Sequence, residues 1–414
     1  MRRLPAAPVF YGLEFVLSMP AFVVLAVYFV REVDLSPLQL VLVGTVMEAA
    51  IFVFEVPTGV VADTYSRRAS LVASFVLQGV AWLFIAAVPH FWAVLAAWAF
   101  WGFGYTFMSG AYEAWITDEV GVDRVGRVFA RGVQLSYAGA LAGLVLSVGL
   151  AAISLRLAIF AGGTLLVVAG VAAALLMPET GFTRRKEEQA GPWAELRGTA
   201  IAGARYVRVQ PLLLLMLAIF FFAGMSTEAF DRLNEAHLIR DVGLPRVGSL
   251  DPVVWFGLFG AGGLVIGIVA SQVLVRRFER AQELPLARIL LVVTFVQAGA
   301  LVLFGLAGGL LAAVAGLWLY GLTRSLAAPL GMTWLNQNIT DSRVRATVIS
   351  MTGQADAIGQ VGGGPVLGAV GNLFGIRAAL YAGAAVLLPA LALYGRAIRH
   401  GGREPELEEL PRAA

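Results

Sequence analysis

Hydrophobic residues occur in long runs along this chain, and charged residues interrupt only some of them. Four runs carry no charge and are each close to the roughly 20 residues that cross a bilayer as a helix; they cover 69–88, 157–177, 289–307 and 378–395. Eight similar runs carry scattered charges; they cover 8–30, 38–58, 91–116, 128–150, 211–236, 253–275, 309–333 and 346–370. The pattern predicts an all-α membrane protein with twelve transmembrane helices, numbered here span 1 to span 12.

Composition agrees with a chain that lies mostly in a membrane. Hydrophobic residues make up 59% of the 414, the mean hydropathy is +0.80 and only 14% are charged, which leaves no room for a soluble domain. Of the 30 basic residues, 23 fall in the N-terminus, the even-numbered loops and the tail. Basic residues favour the cytoplasmic side, so we expect both termini there. They form no continuous stripe, and we expect no nucleic-acid partner.

The two halves of the chain repeat one another. Phe29–Leu35 matches Leu238–Leu244 at an offset of 209, and Gly59–Asp63 matches Gly267–Ser271 at 208. A third match joins Trp115 to Trp334 at an offset of 219. These matches predict two pseudo-symmetric six-helix bundles, as in secondary transporters.

Domain boundaries follow from the polar segments. Residues 1–177 form the predicted N-terminal bundle and 211–396 the C-terminal bundle. The charged segment 178–210 is a predicted cytoplasmic linker whose second part lies at the membrane surface. Residues 397–414 are a predicted cytoplasmic tail.

Ionisable residues within the spans are the candidates for function, because each costs roughly 2.5–3.5 kcal/mol to insert and must face something polar. We expect these to line a substrate cavity or to carry protons: Glu14, Glu48, Tyr112, Glu113, Glu228, Asp231, Arg232, Glu235, Arg324 and Asp356. A carboxyl group shielded from water can bind and release protons near neutral pH. Glu55 beside Pro57 is equally consistent with a structural role.

Two groups of these charges have a predictable arrangement. Glu228, Asp231, Arg232 and Glu235 share one face of span 7, and the alternative is that this stripe is a solvated extension of the helix. Arg324 and Asp356 lie at matching depths in spans 10 and 11, so we expect them to pair.

The loop between spans 2 and 3 carries a motif. Gly59-Val-Val-Ala-Asp-Thr-Tyr-Ser-Arg-Arg68 resembles the signature loop of the major facilitator superfamily. Phe54–Thr58 and Ser109–Glu119 resemble its bacterial drug-efflux branch. Gly59 is expected to let a neighbouring helix approach closely. Asp63 is expected to accept hydrogen bonds from the N-terminus of span 11 near Ala346.

The resemblance implies a conformational latch that holds the two bundles together in the outward-facing state. Arg67 or Arg68 is expected to pair with Asp118 or Glu119, and the resemblance assigns the latch to Asp63, Arg68 and Asp118. It also implies that spans 1, 4, 7 and 10 line the central cavity and that the protein lies in the inner membrane of a bacterial cell.

These observations favour a transporter over other classes. We expect a monomeric exporter of amphipathic small molecules, driven by proton antiport and working by alternating access. The alternatives are a proton-coupled carrier of a nutrient, siderophore or lysolipid, and a receptor or scaffold that transports nothing. No phosphate-binding loop is present, which excludes an ATP-driven pump, and no catalytic constellation indicates an enzyme. With no cysteine and three dispersed histidines, we expect no metal and no cofactor.

Overall fold

The computed structural model describes residues 4–20, 22–182, 201, 203–245, 253–280, 285–339, 341 and 344–401. Those residues form helices and turns without a strand. Helix covers all twelve predicted spans. The bounds from span 1 to span 12 are Ala6–Leu17 with Phe22–Arg31, Pro37–Thr64, Arg67–Ala87, Phe91–Thr106 with Ala111–Val120, Val122–Ile153, Leu155–Leu176, Pro211–His237, Val253–Arg280, Leu286–Leu306, Leu310–Gln337, Arg345–Phe374 and Ile376–Gly401.

Eleven of these spans are long and apolar enough to cross a membrane, as far as the described residues go, and span 11 is the exception. Span 11 has 30 residues but includes Gln354, Asp356, Gln360 and several glycines. It packs against spans 2, 7 and 12. Its polar groups therefore have protein neighbours, which makes a polar helix tolerable inside a membrane.

Two spans are interrupted for local reasons. Span 1 breaks after Leu17, where Pro20 supplies no backbone N–H for a continuous helix. Span 4 breaks at residues 107–110, where Gly110 has a φ of +73°, a left-handed conformation that favours glycine. As a result, Tyr112 and Glu113 lie on a separate short helix at the end of span 4.

Local sequence also defines the helix ends. Ser36 and Gln39 form a reciprocal capping box at the start of span 2, with N···O distances of 2.9 and 3.3 Å. Beyond the ends of spans 1 and 7, Asp34 and Gly243 have φ values of 53° and 72°. These two residues are separated by the same offset of 209 as the sequence repeat, so the two halves end these helices in the same way.

Helix packing confirms the two six-helix bundles. In the first half span 1 packs on span 5, span 2 on span 4, and span 3 on span 6. The second half repeats these pairs as spans 7 and 11, 8 and 10, and 9 and 12. Gly143 lies against the backbone of Met19 and Gly363 against the side chain of Met225, so glycine permits the close crossing in both bundles.

The two bundles meet mainly through spans 2 and 11 and through spans 5 and 8. We call the end that holds the 64–67, 120–122 and 176–182 connections the terminal end, and the other the opposite end. At the opposite end the halves are in close contact: a Cβ at Gly371 would lie 3.0 Å from Pro37, and one at Gly257 would lie 3.2 Å from Val148.

The predicted linker and tail lie largely outside the described residues, which omit 183–200, 202 and 402–414. Residues 203–208 are helical, with Arg205 and Arg208 exposed. Gly203 lies against Thr347 and Met351 of span 11. The domain boundaries stay predictions.

Candidate functional site

Charges from both halves meet between spans 2 and 7. Arg232 Nε lies 3.5 Å from Glu228 Oε2, one helical turn away, and Arg232 Nη2 lies 3.8 Å from Glu48 Oε1. Glu228 is only 1% exposed, so it is buried and not solvated, contrary to the alternative of a solvated stripe. Arg232 therefore compensates two carboxyl groups, one from each bundle.

Gly44 makes room for this arrangement. Its Cα faces the Arg232 side chain, and a Cβ there would lie 2.5 Å from Cζ and 2.8 Å from Cδ of Arg232. Any larger residue would displace the guanidinium. The glycine on span 2 is thus part of the contact, although it carries no polar side chain.

Arg324 forms its ion pair with Asp231 of span 7. The predicted pair with Asp356 is therefore wrong as the primary contact: Asp356 Oδ2 instead accepts a hydrogen bond of 2.6 Å from Gln360 Nε2. Matching depth did not make them partners, because span 10 packs on spans 8 and 9 whereas span 11 packs on spans 2, 7 and 12. Together Glu48, Glu228, Asp231, Arg232 and Arg324 are called the central charge cluster below.

Glu235 continues the span 7 stripe by one more turn. Its Oε2 is buried and has no hydrogen-bond partner among the described residues. The side chain lines two cavities, one between spans 1, 2, 4 and 7 and one that reaches spans 5, 8 and 10. An acidic group without a partner at such a place is available to a ligand or a proton.

A second acidic group lies within the first half. Tyr112 packs its ring on Phe10, with centroids 5.2 Å apart, and its hydroxyl donates to Phe10 O at 3.4 Å. Glu14 and Glu113 lie close enough to interact electrostatically. Spans 1 and 4 thus bring together Glu14, Tyr112 and Glu113, away from the central charge cluster.

The motif loop is held within the first half. Arg67 forms an ion pair with Asp118 and lies 3.5 Å from Asp63. Arg68 does not contact Asp118, contrary to the role the resemblance assigns it: its guanidinium donates to Ala174 O and its backbone N–H donates to Glu179 at 3.0 Å. Of the two adjacent arginines, only Arg67 faces span 4.

Two further expectations for this loop differ from the structure. A Cβ at Gly59 would meet no described atom within 4 Å, so no helix approaches closely there. Asp63 is about half exposed, and its ion pair in the described residues is with Arg67 and not with span 11. In this state the two bundles are not joined through Asp63.

Sequence reasoning missed an aromatic wall. Trp98 and Trp101 of span 4 and Phe22 and Phe29 of span 1 line the same cavity as Glu235. The spacing of three residues between the tryptophans was an available signal, because it places both on one helix face. Glu179, which accepts hydrogen bonds from Ser66 at 2.8 and 2.9 Å, was also missed, since nothing in the linker sequence distinguishes it.

Comparison with known proteins identifies the family. The family model of the Major Facilitator Superfamily matches residues 9–298. The chain belongs to this superfamily. An uncharacterized MFS-type transporter, YxaM of Bacillus subtilis, is 24% identical over 385 residues, which are 91% of this chain and 92% of that protein.

Solved transporter structures share the fold. A peptide transporter of the POT family in complex with sulfate has a TM-score of 0.75 at 14% identity, covering 96% of this chain and 95% of its own. The nucleoside transporter NupG has a TM-score of 0.71 at 14% identity, covering 96% and 98%. A bacterial homologue of the human lysosomal transporter Spinster, inward-facing and unoccupied, has a TM-score of 0.72 at 14% identity, covering 95% of each chain. The protein is thus a multi-pass membrane transporter of small molecules.

Proposed function

We propose that the protein exports amphipathic small molecules in exchange for protons, by alternating access of a central cavity. The observation that carries this proposal is the excess of acid between the halves: Glu48, Glu228, Asp231 and Glu235 face only Arg232 and Arg324 among the described residues. Buried carboxyl groups that lack a full set of cations require protons or a cationic substrate to balance them. Exchange of one for the other on the same groups couples the two movements.

The state seen is proposed to be inward-facing, with the terminal end toward the cytoplasm of a bacterial cell. The contacts at the opposite end and the separation of Asp63 from span 11 both support this assignment. The basic residues of the terminal end support the orientation. Asp63, Arg67 and Asp118 are proposed to close the terminal end in the other state, with the protein acting as a monomer.

A proton-coupled carrier of a nutrient is the second candidate. The structural likeness to transporters whose names specify nucleosides and peptides favours it. It differs from export in the direction of coupled flux and in a more polar substrate.

The test is flux in proteoliposomes that contain the purified protein. We expect an imposed pH gradient to drive amphipathic compounds against their own gradient, in the direction opposite to proton movement. Accumulation of nucleosides or peptides in the same direction as protons would favour the carrier instead. Flux of every compound unaffected by the gradient would contradict both.

Variants of the first-half acids sharpen this test. If Glu14 and Glu113 carry a proton in addition to the acids between the halves, Glu14→Gln or Glu113→Gln will abolish accumulation while leaving downhill exchange. If both variants still concentrate substrate, the coupling acid lies in the central charge cluster or at Glu235.

A further inference from the structure

A cavity of about 460 Å³ lies between spans 1, 2, 4 and 7, toward the opposite end. That volume is within the range of about 300–1,000 Å³ that holds small-molecule ligands in proteins. Its walls differ in chemistry: the first half supplies aromatic and aliphatic side chains, whereas span 7 supplies Asp231, Arg232, Asn234 and Glu235. We call it the aromatic pocket.

The aromatic wall is a continuous group of rings. Phe22 lies 5.7 Å from Trp101 and 6.1 Å from Trp98 between centroids, and the two indoles lie 5.2 Å apart. Phe29 extends the group, with its centroid 6.3 Å from Trp98. Aromatic faces, tryptophan above all, attract organic cations through the ring quadrupole.

The opposite wall favours positive charge as well. Both of its nearby arginines already contact carboxylates, Arg232 those of Glu48 and Glu228, and Arg324 that of Asp231. Glu235 retains a buried oxygen without a partner in the described part of the chain. Asn234 Nδ2 donates to Phe230 O at 2.9 Å, so the amide N–H groups are turned to the helix backbone.

These walls disfavour an organic anion and a neutral solute. An organic anion would have to compete with carboxylates for Arg232 or Arg324 and would lie beside Glu235. A neutral solute could donate a hydrogen bond to the Glu235 oxygen but would leave its negative charge uncompensated. A cation with an apolar body balances the charge of one wall and packs on the rings of the other.

We propose that the aromatic pocket binds an organic cation whose apolar or aromatic body packs on Phe22, Trp98 and Trp101 and whose charge faces Glu235 and Asp231. This inference rests on the proposed function as a small-molecule transporter and names the substrate class. A proton on Glu235 and the bound cation would exclude one another, because either one neutralises the same carboxyl group.

A matched pair of ions tests the sign of the charge. Tetraphenylphosphonium and tetraphenylborate have nearly the same shape and opposite charges. Equilibrium binding of each labelled ion to the full-length protein in nanodiscs is expected to show saturable binding of the phosphonium, at least tenfold tighter than any binding of the borate. Equal binding of the two ions would overturn the proposal.

Variants locate the site. Glu235→Gln is expected to weaken phosphonium binding about tenfold or more, with Glu235→Asp retaining part of it. Trp101→Leu should weaken binding about fivefold, and Trp101→Phe less. Glu55→Gln is the matched control, since Glu55 is also an acid within a span but lies on span 2 outside the pocket, where it accepts a hydrogen bond from Ser109 at 3.2 Å. Unchanged binding in both Glu235→Gln and Trp101→Leu would place the cation elsewhere.

The experiment still tests the proposal if one variant misfolds or if transport is not observed. Should Glu235→Gln fail to fold, the Trp101 pair and the two-ion comparison still decide. Binding is measured without a pH gradient and is therefore independent of transport. If the phosphonium binds but no compound shows proton-coupled flux, only the proposed function is contradicted. If flux is proton-coupled but the phosphonium and the borate bind equally, only this inference is contradicted.

Discussion

The two ends of the molecule use their charged residues differently. At the opposite end, Arg240 of the second half reaches across to the first: its Nη2 lies 2.9 Å from Asp34 Oδ1, 3.0 Å from Leu35 O and 3.3 Å from Val30 O. At the terminal end, the described ion pairs of Arg67 with Asp118 and Asp63 stay within the first half. Among the described residues, charge therefore joins the two bundles at one end and organises a single bundle at the other.

This difference predicts which contacts control the equilibrium between the two conformations. Contacts that exist in one state and not in the other determine the equilibrium between them, whereas contacts within one rigid bundle contribute equally to both. Arg240 joins the two halves and is expected to be of the first kind, whereas the Arg67–Asp118 pair stays within one half and is expected to be of the second. Asp63 is proposed to change from the second kind to the first when the terminal end closes.

The largest expected effect is from loss of Arg240. Asp34 is 86% exposed, so the ion pair itself adds little. Hydrogen bonds from a charged group contribute about 1.5–3 kcal/mol, so loss of the bonds to the carbonyls of Leu35 and Val30 should shift the equilibrium by roughly 2 kcal/mol, or about 30-fold. We expect Arg240→Ala to open the opposite end. The chain has no native cysteine. Ala26→Cys, in the lining of the aromatic pocket, therefore supplies the single thiol of the chain. The rate at which an impermeant maleimide labels it from the opposite side should rise as that end opens.

Arg156→Ala is the control for Arg240→Ala. Arg156 lies at the same end, but its Nε pairs with Glu32 Oε2 at 2.9 Å within the first half. Its loss should therefore leave the labelling rate of Ala26→Cys within about twofold. An equal rise in both variants would show that the Arg240 contact does not hold the end closed.

Asp63→Asn is expected to act in the other direction with a somewhat smaller effect. Loss of the anion that is proposed to hold the terminal end closed should reduce transport about tenfold or more at equal expression, and should lower labelling of Ala26→Cys. Asp123→Asn, an exposed acid at the same end, is the matched control. Normal flux in Asp63→Asn would remove the terminal end from the conformational cycle.

The smallest expected effect concerns the pair between the ends. Arg324 and Asp231 are partly exposed, so their interaction is worth about 1 kcal/mol, less than for a fully buried pair. In a double-mutant cycle of thermal stability, Arg324→Ala with Asp231→Ala should be non-additive by that amount. The cycle with Asp356→Ala should give a smaller coupling. The reverse ranking would restore the pairing expected from depth alone.

Regular features of the chain were predictable from the sequence. Hydrophobic runs located all twelve helices, because a bilayer requires apolar segments of one length whatever their order in space. The offsets near 209 predicted the repeated packing, down to Asp34 and Gly243 at equivalent helix ends. Spacing along one helix put both Glu228 and Glu235 within reach of Arg232, since neighbours one turn apart need no tertiary information, and the structure pairs Arg232 with Glu228.

Contacts between helices were decided by tertiary structure alone. Because of the lateral order of the spans, Arg324 pairs with Asp231 and not with Asp356. The same order places Glu48 beside Arg232. At the motif loop, Arg67 and not Arg68 pairs with Asp118. The depth of a residue in the membrane can be counted from the sequence. The rotation of each helix about its axis and the identity of its neighbours depend instead on where small residues such as Gly44 let helices approach. The sequence by itself determined that acids lie within the membrane, and only packing decided that Glu235 keeps an oxygen without a described partner beside an aromatic wall.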